Sequence, residues 1–430
     1  MQPTPAVADA VLLGGGGAGT AVLHHLALHL LRQPQRRPLR VVVVDPVDRL
    51  AERPADRTWC SWLLRGSRAE AELEPAVHRW WPRVEVVAPD GAAARLDLAP
   101  LRYAMVRGED YYDHVAGLVA RAGDRGALQL EHLPQTALAV REDATGTRVV
   151  LPGGELPARA VLDSRPAPPA RPGASTLVQH FLGQRVRGRD GSVDPDRAVL
   201  MDFSVPQPEV GLAFGYCLPS DAATALVEHT AFVPEPLDGA EQAAALAAYL
   251  PRAMGTTTTR ELLVEHVETG AIPMTDALFP QRPPAPPGLR RSRVVRLGTA
   301  GGAVRPSTGY AFTAMQRAAR ALAGQLAAGV PGDRLEVPRP YPRRHAWMDA
   351  LVLRALLDGP RHGGLDGPDF FVRLFARNPP QRVLRFLDGL TSPAEELALM
   401  ATSPRAPMLR AAALDAARRL RGPRGPRGPR

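Results

Sequence analysis

At 430 residues the chain is long enough for two or three domains around a large core. Its formal charge of +9 makes no case for nucleic acid, because Arg418 to Arg430 holds six arginines and no acid, leaving only +3 for the rest. Two widely separated cysteines, Cys60 and Cys217, speak against a disulfide framework and for a reducing compartment. No uninterrupted apolar run reaches the ~18–20 residues of a membrane span, and no basic-plus-apolar leader precedes the first strand. The expectation is a cytoplasmic protein, soluble or peripherally attached to the cytoplasmic membrane, with no metal site.

Ala10 to Leu13 reads as a short buried strand. Gly14, Gly16 and Gly19 then fall on the G-x-G-x-x-G spacing, and Thr20 to Leu31 is apolar at helical intervals. Strand, glycine turn and helix thus arrive in the order a dinucleotide site requires. Glycine lets the backbone run against a pyrophosphate, and the free N–H groups of the helix start face its charge. A second strand, Leu39 to Val44, ends at Asp45, where a carboxylate would accept from a ribose diol.

Asp56 to Trp62 is read as a loop beyond that strand, placing Trp59 and Trp62 either against a ligand or in a domain interface. Leu101 to Val106 reads as a strand, Arg107 is a candidate for phosphate or ribose, and a helix runs from about Tyr111 to Ala122. Glu109 and Asp110 at its start suit the helix dipole. Short strands fill Ala127 to Val150, and another covers Ala160 to Leu162, ending at Asp163. Four prolines between Pro166 and Pro172 mark a domain boundary.

From Leu177 to Val233 the period changes to two, the mark of an antiparallel sheet. Val199, Met201, Phe203 and Val205 alternate with polar residues, as do Leu212, Phe214, Tyr216 and Leu218. In the last strand Leu226, Glu228, Thr230 and Phe232 share a face. If that face is packed, Glu228 is a buried carboxyl with a raised pKa; if Val227, Ala231 and Val233 are the packed face, it is an edge-strand carboxylate in solvent. A helix follows (Ala240 to Leu250), then a strand near Glu261 to Val267. Glu268 to Met274 is held extended by Pro273, as a cavity lining or a crossover. After the proline-rich Pro280 to Pro287, a strand from Val294 to Leu297 meets a second glycine cluster, Gly298-Thr299-Ala300-Gly301-Gly302. Gly309 and Tyr310 then lead into a helix ending near Ala328. Two strand–glycine–helix units so far apart suit a large bipartite cofactor.

Beyond Pro338 the chain reads as helices: Arg344 to Asp358, Asp369 to Arg377, Pro380 to Leu390, Pro393 to Met400 and Ala406 to Leu420. Phe370, Phe371, Leu374 and Phe375 beside Arg373 and Arg377 form an apolar face for lipid or for capping a domain. The three GPR triplets of 422–430 are expected to be a disordered tail. The expected division is a discontinuous cofactor domain (1–166 and 291–337), a sheet domain (167–290), the helical region 338–420 and the tail 421–430.

These residues resemble the flavoprotein-type lycopene cyclases. The likeness runs from the first glycine turn to about Pro404. It rests on DRTWCSW (Asp56–Trp62), VRGEDYY (Val106–Tyr112), VLDSR (Val161–Arg165), QHFLG (Gln179–Gly183), LMDF (Leu200–Phe203), LVEHT (Leu226–Thr230), ETGAIPM (Glu268–Met274), GTAGG with RPSTGYAF (Gly298–Phe312), and LFARNPPQRVLRFLDG (Leu374–Gly389). Two departures stand out. The family often writes two adjacent glutamates where this chain has Glu228 and His229, and related flavoenzymes carry an aspartate where it has Thr299.

The resemblance implies a flavin-hydroxylase-like α/β architecture: a Rossmann-type FAD-binding domain, an antiparallel-sheet substrate domain and a C-terminal helical region. It also implies FAD, reduced by NAD(P)H, serving a non-redox cyclisation of lycopene or a related acyclic carotenoid to β-rings. Glu228 would then be the acid, Glu268 a base or orienting carboxylate, and Trp59, Trp62, Phe232 and Met274 substrate contacts. Gly14, Gly16, Gly19, Asp45, Arg107, Asp163, Gly298, Thr299, Ala300, Gly301, Gly309 and Tyr310 would hold the cofactor. A flavin-dependent hydroxylase, a prenyl or carotenoid reductase, and a carotenoid-binding flavoprotein without turnover are the alternatives. Because lycopene is insoluble in water, attachment to a membrane surface through the helices after Pro338 and the arginine tail is expected.

Overall fold

The computed structural model describes residues 6–33 and 37–420; the expected disordered tail, 421–430, lies outside the described residues. The chain opens with β1 (Ala10–Leu13), α1 (Gly17–Arg32), β2 (Leu39–Val44), α2 (Arg49–Glu52), β3 (Thr58–Leu64), α3 (Arg68–Leu73), β4 (Arg79–Trp81), β5 (Arg83–Val87), β6 (Ala93–Asp97), β7 (Leu101–Arg107) and α4 (Gly108–Asp124). It continues through β8 (Leu128–Leu133), β9 (Ala139–Glu142), β10 (Thr147–Leu151), β11 (Gly154–Ala158), β12 (Val161–Asp163), β13 (Thr176–Arg187), β14 (Ala198–Asp202), β15 (Leu212–Pro219) and β16 (Thr224–Val233). Then come α5 (Gly239–Ala253), β17 (Leu263–Thr275), β18 (Val294–Arg296), α6 (Phe312–Ala327), α7 (Arg343–Asp358), α8 (Gly367–Arg377), α9 (Pro380–Leu387), α10 (Pro393–Thr402) and α11 (Arg405–Leu420).

Five strands form a parallel sheet in the order β18-β12-β1-β2-β8. A parallel sheet is covered on both faces, which is why β1 and β2 read as unbroken apolar runs. On one face Leu12, Val41 and Val43 pack with Val22, Leu26, Leu118 and Leu322 of α1, α4 and α6. On the other, Val11, Leu13, Val42 and Val44 meet Val149 and Leu156 of the antiparallel ribbon β9-β10-β11.

The second sheet has seven strands, ordered β17-β13-β16-β15-β14-β5-β6. It is not purely antiparallel: β14 runs parallel to β5, so a hairpin from the first segment extends a sheet otherwise made after residue 175. Strand β14 does not alternate either; Ala198 to Asp202 are all buried, since a strand so deep in the sheet is packed on both sides. Cross-chain pairing of this kind leaves no local trace in the sequence. The proposed loop at Thr58–Trp62 is also a strand: β3 pairs along its length with β7, and β7 with β4. Its Thr, Trp and Cys content suits a half-buried pleat better than a loop.

Phe370, Phe371, Leu374 and Phe375 of α8 are each at most 4% exposed. They pack with Phe203, Phe214 and Phe232 of the large sheet, and Phe203 stacks on Phe371 with ring centroids 6.3 Å apart. This apolar face therefore caps the sheet and is not free to meet lipid; each such burial contributes about 1.5–3 kcal/mol. The opposite face of the sheet lies under α5, where Val186, Val227, Ala231 and Val233 meet Leu246, Tyr249 and Leu250.

Candidate active site

Between the two sheets lies a cavity of about 360 Å³. Its first wall is the glycine turn after β1. Gly14 has φ +95°, which L side chains rarely adopt, and a Cβ there would lie 2.5 Å from Ser164 Oγ. Ser164 Oγ donates to the carbonyl oxygens of Leu13 (2.9 Å) and Gly14 (3.2 Å), tying the ends of β12 and β1 together. A Cβ on Gly19 would overlap the Gly14 carbonyl oxygen, so α1 packs hard against its own turn. Gly16 faces open space on the cavity wall.

The second wall follows β18. Gly298 has φ +57° and its Cα faces Ala18, so the two glycine turns touch. Thr299 and Gly309 line the cavity, whereas Ala300 and Gly301 are buried behind them. A side chain at Gly309, where φ is +74°, would overlap the amide of Gln179. Neither α1 nor α6, which starts at Phe312, carries an acidic residue in its first turn, so both positive helix ends are uncompensated.

The third wall is one face of the large sheet, on which four cross-strand neighbours stand in a row: Tyr216 on β15, Glu228 on β16, Gly183 on β13 and Glu268 on β17. Directly opposed residues point to one side of an antiparallel sheet, so both carboxyls face the cavity with glycine between them. Gly183 creates that space: a Cβ there would lie 3.3 Å from Glu268 Cγ and 3.5 Å from Glu228 Cγ.

Glu228 is not on an edge; β16 is the third strand, and the opposite face (Val227, Ala231, Val233) is buried as well. Burial, then the neighbouring Glu268, pushes its carboxyl up to about 8, against a 2.6 Å hydrogen bond donated by Thr230 Oγ1. Glu268, 6% exposed, is pushed up to about 7 by burial and by Glu109, with Thr58, Arg185 and Arg57 acting the other way. The fourth wall carries Thr58, Trp59 and Cys60 of β3 and Tyr103 of β7. Trp59 stacks on Phe312 at 5.6 Å, and Tyr310 also faces the cavity.

Several expected site residues stand back from this wall. Trp62 is 5% exposed, packed on Tyr103 and edge-on to Tyr310 at 4.9 Å. Phe232 packs on Phe214 at 5.4 Å, and Met274 is fully buried. These three back the wall instead of lining it. Asp45 accepts from Gly15 N–H (2.7 Å) and from Arg49 (2.9 Å), so it clamps the first turn. Arg107 is held by Asp110 through two bonds of 2.7 and 2.8 Å, and Asp163 by Arg165 at 2.8 and 3.0 Å; both are internal pairs away from the cavity lining. Sequence reasoning missed Gly183, Gln179, Phe181, Tyr216 and Tyr103 as site residues, and it set Thr230 on the face of Glu228 without giving it the hydrogen bond it makes. A glycine inside a long strand is the one local signal that could have marked Gly183.

The family model described as lycopene cyclase protein matches residues 9–413. The chain belongs to that family. The fold of this lycopene cyclase family member is shared with solved structures of low identity. One is a geranylgeranyl bacteriochlorophyll reductase-like protein from Thermoplasma acidophilum (14% identity, TM-score 0.62, 96% of this chain and 100% of that one). Another is the flavin-dependent brominase Bmp2 (13%, TM-score 0.56, 96% and 100%). A third is the p-nitrophenol 4-monooxygenase PnpA from Pseudomonas putida DLL-E4 (15%, TM-score 0.55, 96% and 98%). None of the curated proteins matches the family member in sequence.

Proposed function

We propose that the chain is a lycopene β-cyclase using FAD, kept reduced by NAD(P)H. The observation that carries this is Glu228, a carboxyl that holds its proton near neutrality and faces a cavity shared with both glycine turns. The residues fit a large anionic dinucleotide. Two uncompensated helix N-termini meet at the cavity, Gly16 leaves its wall open, and the buried Gln179 Oε1 beside Gly309 takes no hydrogen bond from the described residues. Gly14, Gly16 and Gly19 would grip the pyrophosphate, with Asp45 holding their turn in place through Gly15 N–H. Gly298, Thr299, Gly309 and Tyr310 would hold the ring end. When bound and reduced, the flavin supplies negative charge that steadies a carbocation.

Protonating an isoprenoid double bond needs a general acid that still carries its proton at pH 7, and burial keeps Glu228 in that form. Its O–H donates to the terminal double bond, leaving a tertiary cation that the neighbouring double bond attacks to close a six-membered ring. Glu268 takes the ring proton, and the product is an isomer of the substrate. Thr230 fixes the Glu228 carboxyl by its 2.6 Å bond. Trp59 and Phe181 offer aromatic faces to the cation, each worth about 0.5–2 kcal/mol. The substrate reaches the enzyme from a membrane to which the protein is peripherally attached.

Anaerobic incubation of the reduced, flavin-loaded protein with lycopene tests the reading. A β-ringed product of unchanged mass is expected; a product of altered mass, or a requirement for oxygen, would refute it in favour of a reductase or hydroxylase.

A further inference from the structure

A second cavity, about 300 Å³, opens in the helical region, lined by residues of α7 to α11 and by none of the large sheet. Met348, Leu351 and Val352 of α7, Phe370 of α8, Leu399 of α10 and Met408 of α11 form its apolar walls. Its rim holds Trp347 (39% exposed), Met400 (42%) and Leu409 (69%). Side chains so large and apolar are normally found inside, and their gathering around one groove marks a surface made to be covered.

The charge around the groove says what covers it. Arg405 lines the groove, and Arg343 and Arg410 are exposed on the same helices. The one carboxylate in the lining, Glu396, is 5% exposed and already bonded to Arg344 (2.8 Å) and His345 (2.6 Å). An apolar slot with a tryptophan at its mouth and a cationic rim complements a layer of hydrocarbon beneath an anionic surface. Among the described residues no helix is long and apolar enough to cross a membrane, so contact is from one side.

We infer that the groove between α7, α10 and α11 docks on an anionic bilayer, with Trp347, Met400 and Leu409 inserted among the acyl chains. This rests on the reading of the substrate as a water-insoluble polyene and names the face through which the protein reaches it. Of the apolar stripe of α8, Phe370 and Leu374 form part of the groove's floor, whereas Phe371 and Phe375 lie outside it, Phe371 stacked on Phe203.

The test is flotation of the full-length, flavin-loaded protein with vesicles of equal parts phosphatidylcholine and phosphatidylglycerol. The triple variant W347S/M400S/L409S should lose roughly tenfold or more of its partitioning, while its flavin content and far-UV circular dichroism stay those of the wild type, which separates lost docking from lost fold. Vesicles of phosphatidylcholine alone, or high salt, should weaken the wild-type protein too. Undiminished flotation of the variant overturns the inference. So does a wild-type dimer that the same substitutions convert to monomer with no change in flotation, since the groove would then be covered by a second copy. Lycopene offered in detergent micelles separates the two readings: loss of cyclisation there in the wild-type protein would sink the activity and leave the flotation result standing.

Discussion

Replacing Glu228 by glutamine keeps the shape and the acceptor for Thr230 Oγ1 but removes the proton, and its effect on stability can be worked out apart from catalysis. The carboxyl is raised from 4.5 to about 8 in the folded chain. Folded protein therefore holds this proton where unfolded protein has released it, and stability falls as pH rises from about 4.5 to about 8. At ~1.36 kcal/mol per pKa unit the penalty reaches about 5 kcal/mol at most above pH 8, and about 2–4 kcal/mol once screening by water in the cavity is allowed for. Glutamine carries no such penalty. Urea unfolding of the flavin-free proteins should then give equal stabilities near pH 4 and a variant more stable by about 2–4 kcal/mol near pH 9. A difference independent of pH would mean that Glu228 is not a buried, proton-holding acid, and the catalytic reading would lose its foundation. In the loaded enzyme the same substitution should abolish cyclisation while flavin stays bound.

Glu268→Gln should lower kcat by about 10²–10⁴-fold. It also relieves the repulsion on Glu228, so the alkaline limb of the pH–rate profile should move below pH 8, a shift a merely structural role would not produce. Gly183→Ala places a methyl between the two carboxyls; kcat should fall by tenfold or more, roughly, with flavin content unchanged, measured by turnover and flavin fluorescence. Arg305→Met leaves Asp349 buried without its partner and should cost about 3–5 kcal/mol by denaturant titration, with loss of flavin retention.

The parts of the site that were legible in the sequence are those built from neighbours along the chain. The glycine spacing at Gly14, Gly16 and Gly19 states its own geometry, and the alternation of Leu226, Glu228, Thr230 and Phe232 correctly grouped those residues on one face. What could not be read was which partners that face would meet. Gly183 and Glu268 stand 45 and 40 residues from Glu228 in opposite directions, and register alone makes the three a row. Whether a residue near the site lines it or backs it was equally hidden: Trp59 and Trp62 lie on one strand, yet the first reaches the cavity and the second stops against Tyr310. Arg107 and Asp163 looked available for a ligand although their partners, Asp110 and Arg165, stand only three and two residues further on, because the sequence does not say which way each side chain turns.

Arg305 and Asp349, both fully buried, join the segment just before Gly309 to α7; Ser307 bonds the same carboxylate, and Arg305 also donates to the Phe386 carbonyl of α9. A guanidinium sealed from water cannot leave its carboxylate without exposing two charges to a dry interior, so the link is intact or the region is open. The loop before Gly309 and the helical cap are in this respect a single mechanical part. Shortening the chain at Pro338 would thus remove the anchor of the second glycine turn, and a truncated protein would report on collapse of that turn before it could report on membranes.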